Sequence, residues 1–123
     1  MTTQARVIFV PATRKDLEVF YPHDFPWTFK AVAARIVDAD GGEETVGIGG
    51  VYYDRNNVVA FSSFDPKIDA FPVAKARGVM KVMEIVRNRP CVAIASEDHP
   101  GAPKLLERLG FEQLDGRIYR WKH

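Results

Sequence analysis

The stretch that most constrains the fold of this chain is residues 91–121. An apolar, strand-like run, Cys91-Val92-Ala93-Ile94-Ala95, breaks at Ser96-Glu97-Asp98-His99-Pro100-Gly101. Ala102 and Pro103 then open a short helix through Lys104-Leu105-Leu106-Glu107-Arg108, which closes on Leu109-Gly110-Phe111 and a final strand. Proline suits a first helical turn because its missing N–H would be unpaired there anyway, and glycine suits the left-handed position just past a helix end. A strand that feeds a helix through a polar loop leaves backbone N–H groups at the strand's C-terminal end, where α/β folds place their ligands. That loop is therefore the first place to expect a site.

Upstream, Arg6-Val7-Ile8-Phe9-Val10 reads as a strand. Thr13 with Asp16 three residues on forms a capping box with Asp in place of Glu, which predicts a helix running to Phe20 or Tyr21 and stopped by Pro22. The loop Pro22-His23-Asp24-Phe25-Pro26-Trp27 is too broken to continue it. Three strands follow as an antiparallel meander, over 29–37, 45–53 and 58–64, with turns at Asp38-Ala39-Asp40-Gly41-Gly42 and Asp54-Arg55-Asn56-Asn57. Gly47-Ile48-Gly49-Gly50 lies inside a strand with no helix after it, so it marks a bulge or a close backbone approach rather than a dinucleotide fingerprint.

A second helix is expected from Pro72 to Asn88, with Val73, Ala76, Met80, Met83 and Val86 as the face packed on the sheet. Gly78 lies in its interior, where glycine costs about 1 kcal/mol relative to alanine, so the position asks for a reason. Between Pro66 and Arg89 the basic residues Lys67, Lys75, Arg77, Lys81, Arg87 and Arg89 outnumber the acidic Asp69 and Glu84. Two readings stay open: a local attraction for a polyanion, or a solvated helix face.

At 123 residues the chain is the size of one domain. A net charge of +1 argues against a general nucleic-acid binder, and no apolar run is long enough to span a membrane. The N-terminus has no signal-peptide pattern, so a cytoplasmic location is expected. The single cysteine, Cys91, has no partner for an internal disulfide and reads as a small core residue rather than a nucleophile.

The segment His99-Pro100-Gly101-Ala102, its helix and Gly110-Phe111 resemble the second signature segment of the GCN5-related N-acetyltransferases (GNAT), which reads Asn-x-x-Ala, short helix, Gly-Phe. Leu106 stands where that family often has a tyrosine. Lys75-Ala76-Arg77-Gly78-Val79-Met80 is similar to the family's pyrophosphate pattern Arg/Gln-x-x-Gly-x-Gly/Ala, with Lys for Arg or Gln and Met80 for the last small residue. The resemblance covers nearly the whole chain and rests on element order more than on either motif. It implies an α/β (α+β) GNAT-like domain over 1–123: a mixed central sheet of about six to seven strands with an antiparallel N-terminal meander, flanked by about three helices.

The same resemblance implies acetyl transfer from acetyl-CoA (coenzyme A) to a small-molecule or protein amine acceptor. The pantetheine arm would enter where the third meander strand and the strand at 91–95 splay apart, beside Ser62, Ser63 and Phe64, with Asp65 and Ala102 also bordering the cofactor. Lys75, Arg77 and Gly78 would meet the phosphates, using N–H groups and the positive end of the helix dipole. His99, Glu97 and Asp65 lie near the expected cleft as proton-exchanging groups, and Tyr119 would approach from the last strand. His23, Asp24 and Trp27 would border the acceptor, unless Trp27 simply covers the core.

Because Leu106 and Met80 depart from the family pattern, a second expectation stands beside the first. It is a catalytically degenerate GNAT-fold structural or interaction protein, resembling the GNAT-like proteins of tailed bacteriophages, that forms a homodimer or binds virion proteins. A third reading makes Arg117-Ile118-Tyr119-Arg120-Trp121-Lys122-His123 a nucleic-acid contact; the alternative is an edge strand with Ile118 buried.

Overall fold

The computed structural model describes residues 5–22, 25–87, 90–94 and 101–121. Its chain order is β1 (Arg6–Pro11), α1 (Arg14–Phe20), β2 (Thr28–Val37), β3 (Glu43–Asp54), β4 (Asn57–Phe64), a 3₁₀ turn (Pro66–Ala70), α2 (Pro72–Val86), β5 (Val92–Ile94), α3 (Ala102–Leu109), β6 (Phe111–Asp115) and β7 (Ile118–Trp121). The fold is α+β, with one mixed seven-stranded sheet in the order β1-β2-β3-β4-β5-β7-β6. β4 and β5 pair in parallel, and every other neighbouring pair is antiparallel. Among the described residues no helix is long and apolar enough to cross a membrane.

Local chemistry explains most boundaries. Thr13 caps α1 through the expected reciprocal box: its side chain accepts from the Asp16 N–H, and the Asp16 carboxylate accepts from the Thr13 N–H. The β3–β4 hairpin turns at Arg55, whose φ of 57° is the left-handed geometry of a two-residue turn. Between Ala34 and Arg35 the β2–β3 register shifts, leaving Val46 as the extra residue of a bulge. Gly110, at φ 105°, ends α3, and an added Cβ there would lie 2.8 Å from the Trp121 ring.

Three expectations are corrected. The final segment is a hairpin, β6 and β7, folded at the positive-φ Gly116. β7 is therefore not an edge: it lies between β5 and β6, with Tyr119 buried and Ile118 42% exposed, the reverse of the expected inward Ile118. The face of α2 is also rotated from the expected one. Val73 and Met80 are exposed, while Val79, Val82, Met83 and Val86 form the inward i, i+3, i+4, i+7 stripe.

That rotation follows from a close approach between α2 and β3. A Cβ on Gly49 would stand 2.5 Å from Val82 Cγ2, so the bare strand admits the helix at Val82 and fixes its phase. One core then joins α2 to the parallel seam, with Val51, Met83, Val86, Cys91, Ala93, Phe111 and Tyr119 all buried together. Cys91 is a core residue, as its sequence context suggests. A smaller cluster of Ala34, Val46 and Ile68 sits under the other end of α2 with Val7, Phe9 and Ile36.

α1 covers the opposite face of the sheet, tied down by Asp16. This buried carboxylate accepts from Arg35 Nε at 3.0 Å, Arg35 Nη2 at 2.8 Å and Thr45 Oγ1 at 2.6 Å, in addition to its capping contacts. Beside it, Trp27 stacks on Tyr52 at 4.9 Å, and Phe25 packs on both. Trp27, itself partly exposed, is thus packed into a cluster of aromatic rings on this face.

Candidate functional site

The seam between β4 and β5 is short. Val59 pairs with Val92 and Ala60 with Ala93; Phe61 and Ile94, the next residues in register, are not paired. β4 nevertheless continues to Phe64 along β3. Among the described residues the pairing of the two parallel strands thus ends at Ala60 and Ala93, toward the C-terminal ends where an open sheet presents ligand sites.

Backbone polarity at the opening follows from the β3–β4 ladder. The Asp65 N–H bonds the Val46 carbonyl at 2.9 Å, so alternation turns Ser63 and Phe61 toward β3 and aims the backbone groups of Ser62 and Phe64 toward the β5 side. An extended ligand lying in the gap meets this edge as an added strand would.

A cavity of about 310 Å³ adjoins the opening. The end of β4 (Ser62, Ser63, Phe64), α2 (Lys75, Gly78, Val79, Val82, Met83) and Leu105 and Leu109 of α3 line it, and it extends beneath α2 to Phe9, Ala34 and Gly47. Among the residues expected to hold a cofactor, Ser63, Phe64, Lys75 and Gly78 meet at this one space. They come from two elements that the sequence separates by a loop.

The remaining candidates are placed otherwise. Asp65 caps the 3₁₀ turn, its Oδ1 accepting from the Lys67 N–H at 2.9 Å. Ala102 packs against the core cluster at the start of α3, and Arg77 is exposed on α2 away from the cavity. Tyr119 is 3% exposed within the core and lines neither this cavity nor the shallower one near Asn56 and Arg120, so it is a packing residue and its ring is closed to base stacking. His99, Glu97, His23 and Asp24 lie outside the described residues.

The phosphate pattern is also revised. Gly78 sits in the second turn of α2, and a Cβ there would come within 3.1 Å of the Phe9 ring, so packing accounts for the glycine. The first-turn N–H groups that remain are those of Val73 and Ala74, because Pro72 has none and Lys75 N–H bonds the Phe71 carbonyl. No side chain caps this end. Lys75 stands beside it, its Nζ 2.6 Å from Asp69 Oδ1 and 4.7 Å from the centre of the Phe64 ring. Lys67 is paired with Glu44, so part of the local basic excess is neutralised in place.

One feature has no signal in the residue pattern. The Tyr21 hydroxyl lies 2.7 Å from Ser63 Oγ, linking the end of α1 to the strand that borders the opening. Burial pushes the Tyr21 hydroxyl above its ordinary range, and the hydrogen bond with Ser63 only partly opposes this. It is therefore a proton donor, not a base, at neutral pH. Tyr21 and Ser63 are 42 residues apart, and only the tertiary fold brings them together.

Among the described residues, no group of His, Cys, Asp or Glu side chains is arranged to hold a metal ion. Comparison with family models, with curated proteins and with solved structures finds no match.

Proposed function

We propose that the protein is a GNAT-type N-acyltransferase that takes an acyl group from a coenzyme A thioester, acetyl-CoA being the donor the resemblance implies, and passes it to an amine. The observation that carries this reading is the end of β4–β5 pairing at Ala60 and Ala93, among the described residues, beside a ligand-sized cavity. When bound, the thioester supplies an activated carbonyl carbon open to attack by an amine.

The residues fit such a ligand in three ways. The Ser62 backbone edge receives the extended arm in the gap, and an N–H fixed there favours the negative charge that develops on the carbonyl oxygen. Val73 and Ala74 at the uncapped start of α2, with Lys75 alongside, suit the anionic end. The Tyr21–Ser63 hydroxyl pair, on the α1 face of β4, keeps a proton beside the gap, available to a departing thiolate lying there. In this reading Tyr21 takes the acid role that Tyr119 and Leu106 do not fill.

The test is calorimetric titration with acetyl-CoA, followed by measurement of free-thiol release across a panel of primary amines. Saturable binding and amine-dependent thiol release are expected. Absence of both at millimolar thioester would rule the enzyme reading out.

A second reading has its own observation. Ile94 and Ile118 are cross-strand partners on the sheet face away from α2, and they are 57% and 42% exposed. A GNAT-fold interaction protein, of a phage particle or of a homodimer, would cover that face. Sedimentation showing an assembly that Ile94→Lys dissolves, in a protein that does not bind thioesters, would favour it over catalysis.

A further inference from the structure

The shape and lining of the cavity under α2 carry the proposed function further. Resting on that acyl-transfer reading, we propose that the acyl group delivered to this site is a medium-length aliphatic chain, about eight carbons, housed between α2 and the sheet.

Size points to such a chain. Liquid water occupies roughly 30 Å³ per molecule, so about 310 Å³ holds on the order of ten heavy atoms. An acetyl group would fill only a small part of that space and leave its apolar lining in contact with water.

The lining agrees. Exposure varies around the wall: Phe64, Lys75 and Leu105 are open to solvent, whereas Ile68 and Met83 are 4% and 2% exposed. The polar side chains belong to Ser62 and Lys75, since the Ser63 hydroxyl is turned to Tyr21 on the other face of the sheet. Ser63 is already bonded to Tyr21 and Lys75 to Asp69. The rest of the lining includes Phe9, Ala34, Val82 and Met83, whose side chains offer no hydrogen bond to a polar ligand. An aliphatic chain matches a lining that is apolar apart from Ser62 and Lys75.

Small residues on the floor create the space. Gly47 and Ala34 face each other across β2 and β3, with a Cβ on Gly47 at 3.4 Å from the Ala34 Cβ, so this pair leaves the volume that larger pairs would fill. Ala34 is the place to close it.

Calorimetry with acetyl-CoA, octanoyl-CoA, free coenzyme A and sodium octanoate separates the possibilities. Each buried methylene favours binding about fourfold, so octanoyl-CoA is expected to bind at least about a hundredfold tighter than acetyl-CoA. Ala34→Leu should bring octanoyl-CoA down to the affinity of acetyl-CoA while leaving acetyl-CoA unchanged, and its melting temperature shows whether the variant is folded. Equal wild-type affinity for the two thioesters overturns the chain-length proposal and leaves acyl transfer standing. Binding of octanoate without either thioester overturns the transfer reading, and with it a thioester-borne chain; no binding of any probe overturns both.

Discussion

Removing the Asp16 carboxylate tests how α1 is held to the sheet. Asp16 is 2% exposed and accepts five hydrogen bonds: from Thr13 N–H at 2.9 Å, Thr13 Oγ1 at 3.0 Å, two guanidinium nitrogens of Arg35, and Thr45 Oγ1. In Asp16→Ala the Arg35 guanidinium keeps, among the described residues, only Glu43 at 3.5 Å. Breaking one side of a buried ion pair costs about 3–5 kcal/mol. Because the Arg35 side chain is 23% exposed, water relieves part of this, and about 3 kcal/mol is expected, a fall in melting temperature of roughly 10 °C for a domain of this size. Asp16→Asn keeps the shape and one acceptor oxygen and should lose about half as much.

The pH dependence has a definite sign. Burial acts to raise the Asp16 pKa, but the hydrogen bonds from Arg35, Thr45 and Thr13 outweigh it and hold the carboxyl well below the usual carboxylate range. A group depressed in the folded state contributes fully above its unfolded value, about 3.9, and loses that contribution as pH falls toward the folded one. Urea titrations of wild type and Asp16→Asn should therefore differ most at neutral pH and converge below about pH 4. Two results refute this account: an Asp16→Ala protein within about 1 kcal/mol of wild type, or a wild-type and Asn gap that stays constant into acid.

Gly49→Ala should destabilise by about 1–3 kcal/mol in a denaturant melt, since its Cβ would stand 2.5 Å from a stiff valine, and Val82→Ala in the same chain should recover most of the loss. Gly78→Ala should melt within about 1 kcal/mol of wild type, the gain in helix propensity offsetting the tight fit to Phe9, and should leave coenzyme A affinity within about twofold; a tenfold loss of affinity would return Gly78 to the phosphate site. Tyr21→Phe should lower thiol release by about a hundredfold or more at unchanged thioester affinity, with a stability change near 1 kcal/mol, and unaltered turnover would remove Tyr21 from the mechanism.

Features written in adjacent residues are legible without coordinates. Thr13 and Asp16 are three apart, so their box declares itself; the proline and glycine that frame α3, and the turns of the meander, do the same. Partners that meet through the fold leave no such mark. Arg35 and Thr45 lie 19 and 29 residues from Asp16, so one carboxylate that reads as a local cap turns out to join three elements. The phase of α2 is hidden for a related reason: apolar residues occur around the whole helix, and Gly49 on another element selects which of them face inward. The β6–β7 hairpin is readable from Asp115-Gly116, but the charged residues after it suggest a solvated edge. For the site, the family resemblance, not the residue pattern itself, brings β4 and α2 to one place, and neither hints at the Tyr21–Ser63 bridge.

Among the described residues, four antiparallel strands on one side of the sheet and the β5–β7–β6 block on the other are stitched by just two facing pairs, Val59 with Val92 and Ala60 with Ala93, under the clasp of α2. Unpicking that stitch would sacrifice little hydrogen bonding and leave the ladders of each block intact. Amide protons there should exchange with solvent sooner than those between β2 and β3. On the acyl-transfer reading, the same yielding would loosen the end of β4 that borders the hollow beneath α2, so ligand entry would share the coordinate along which the seam opens.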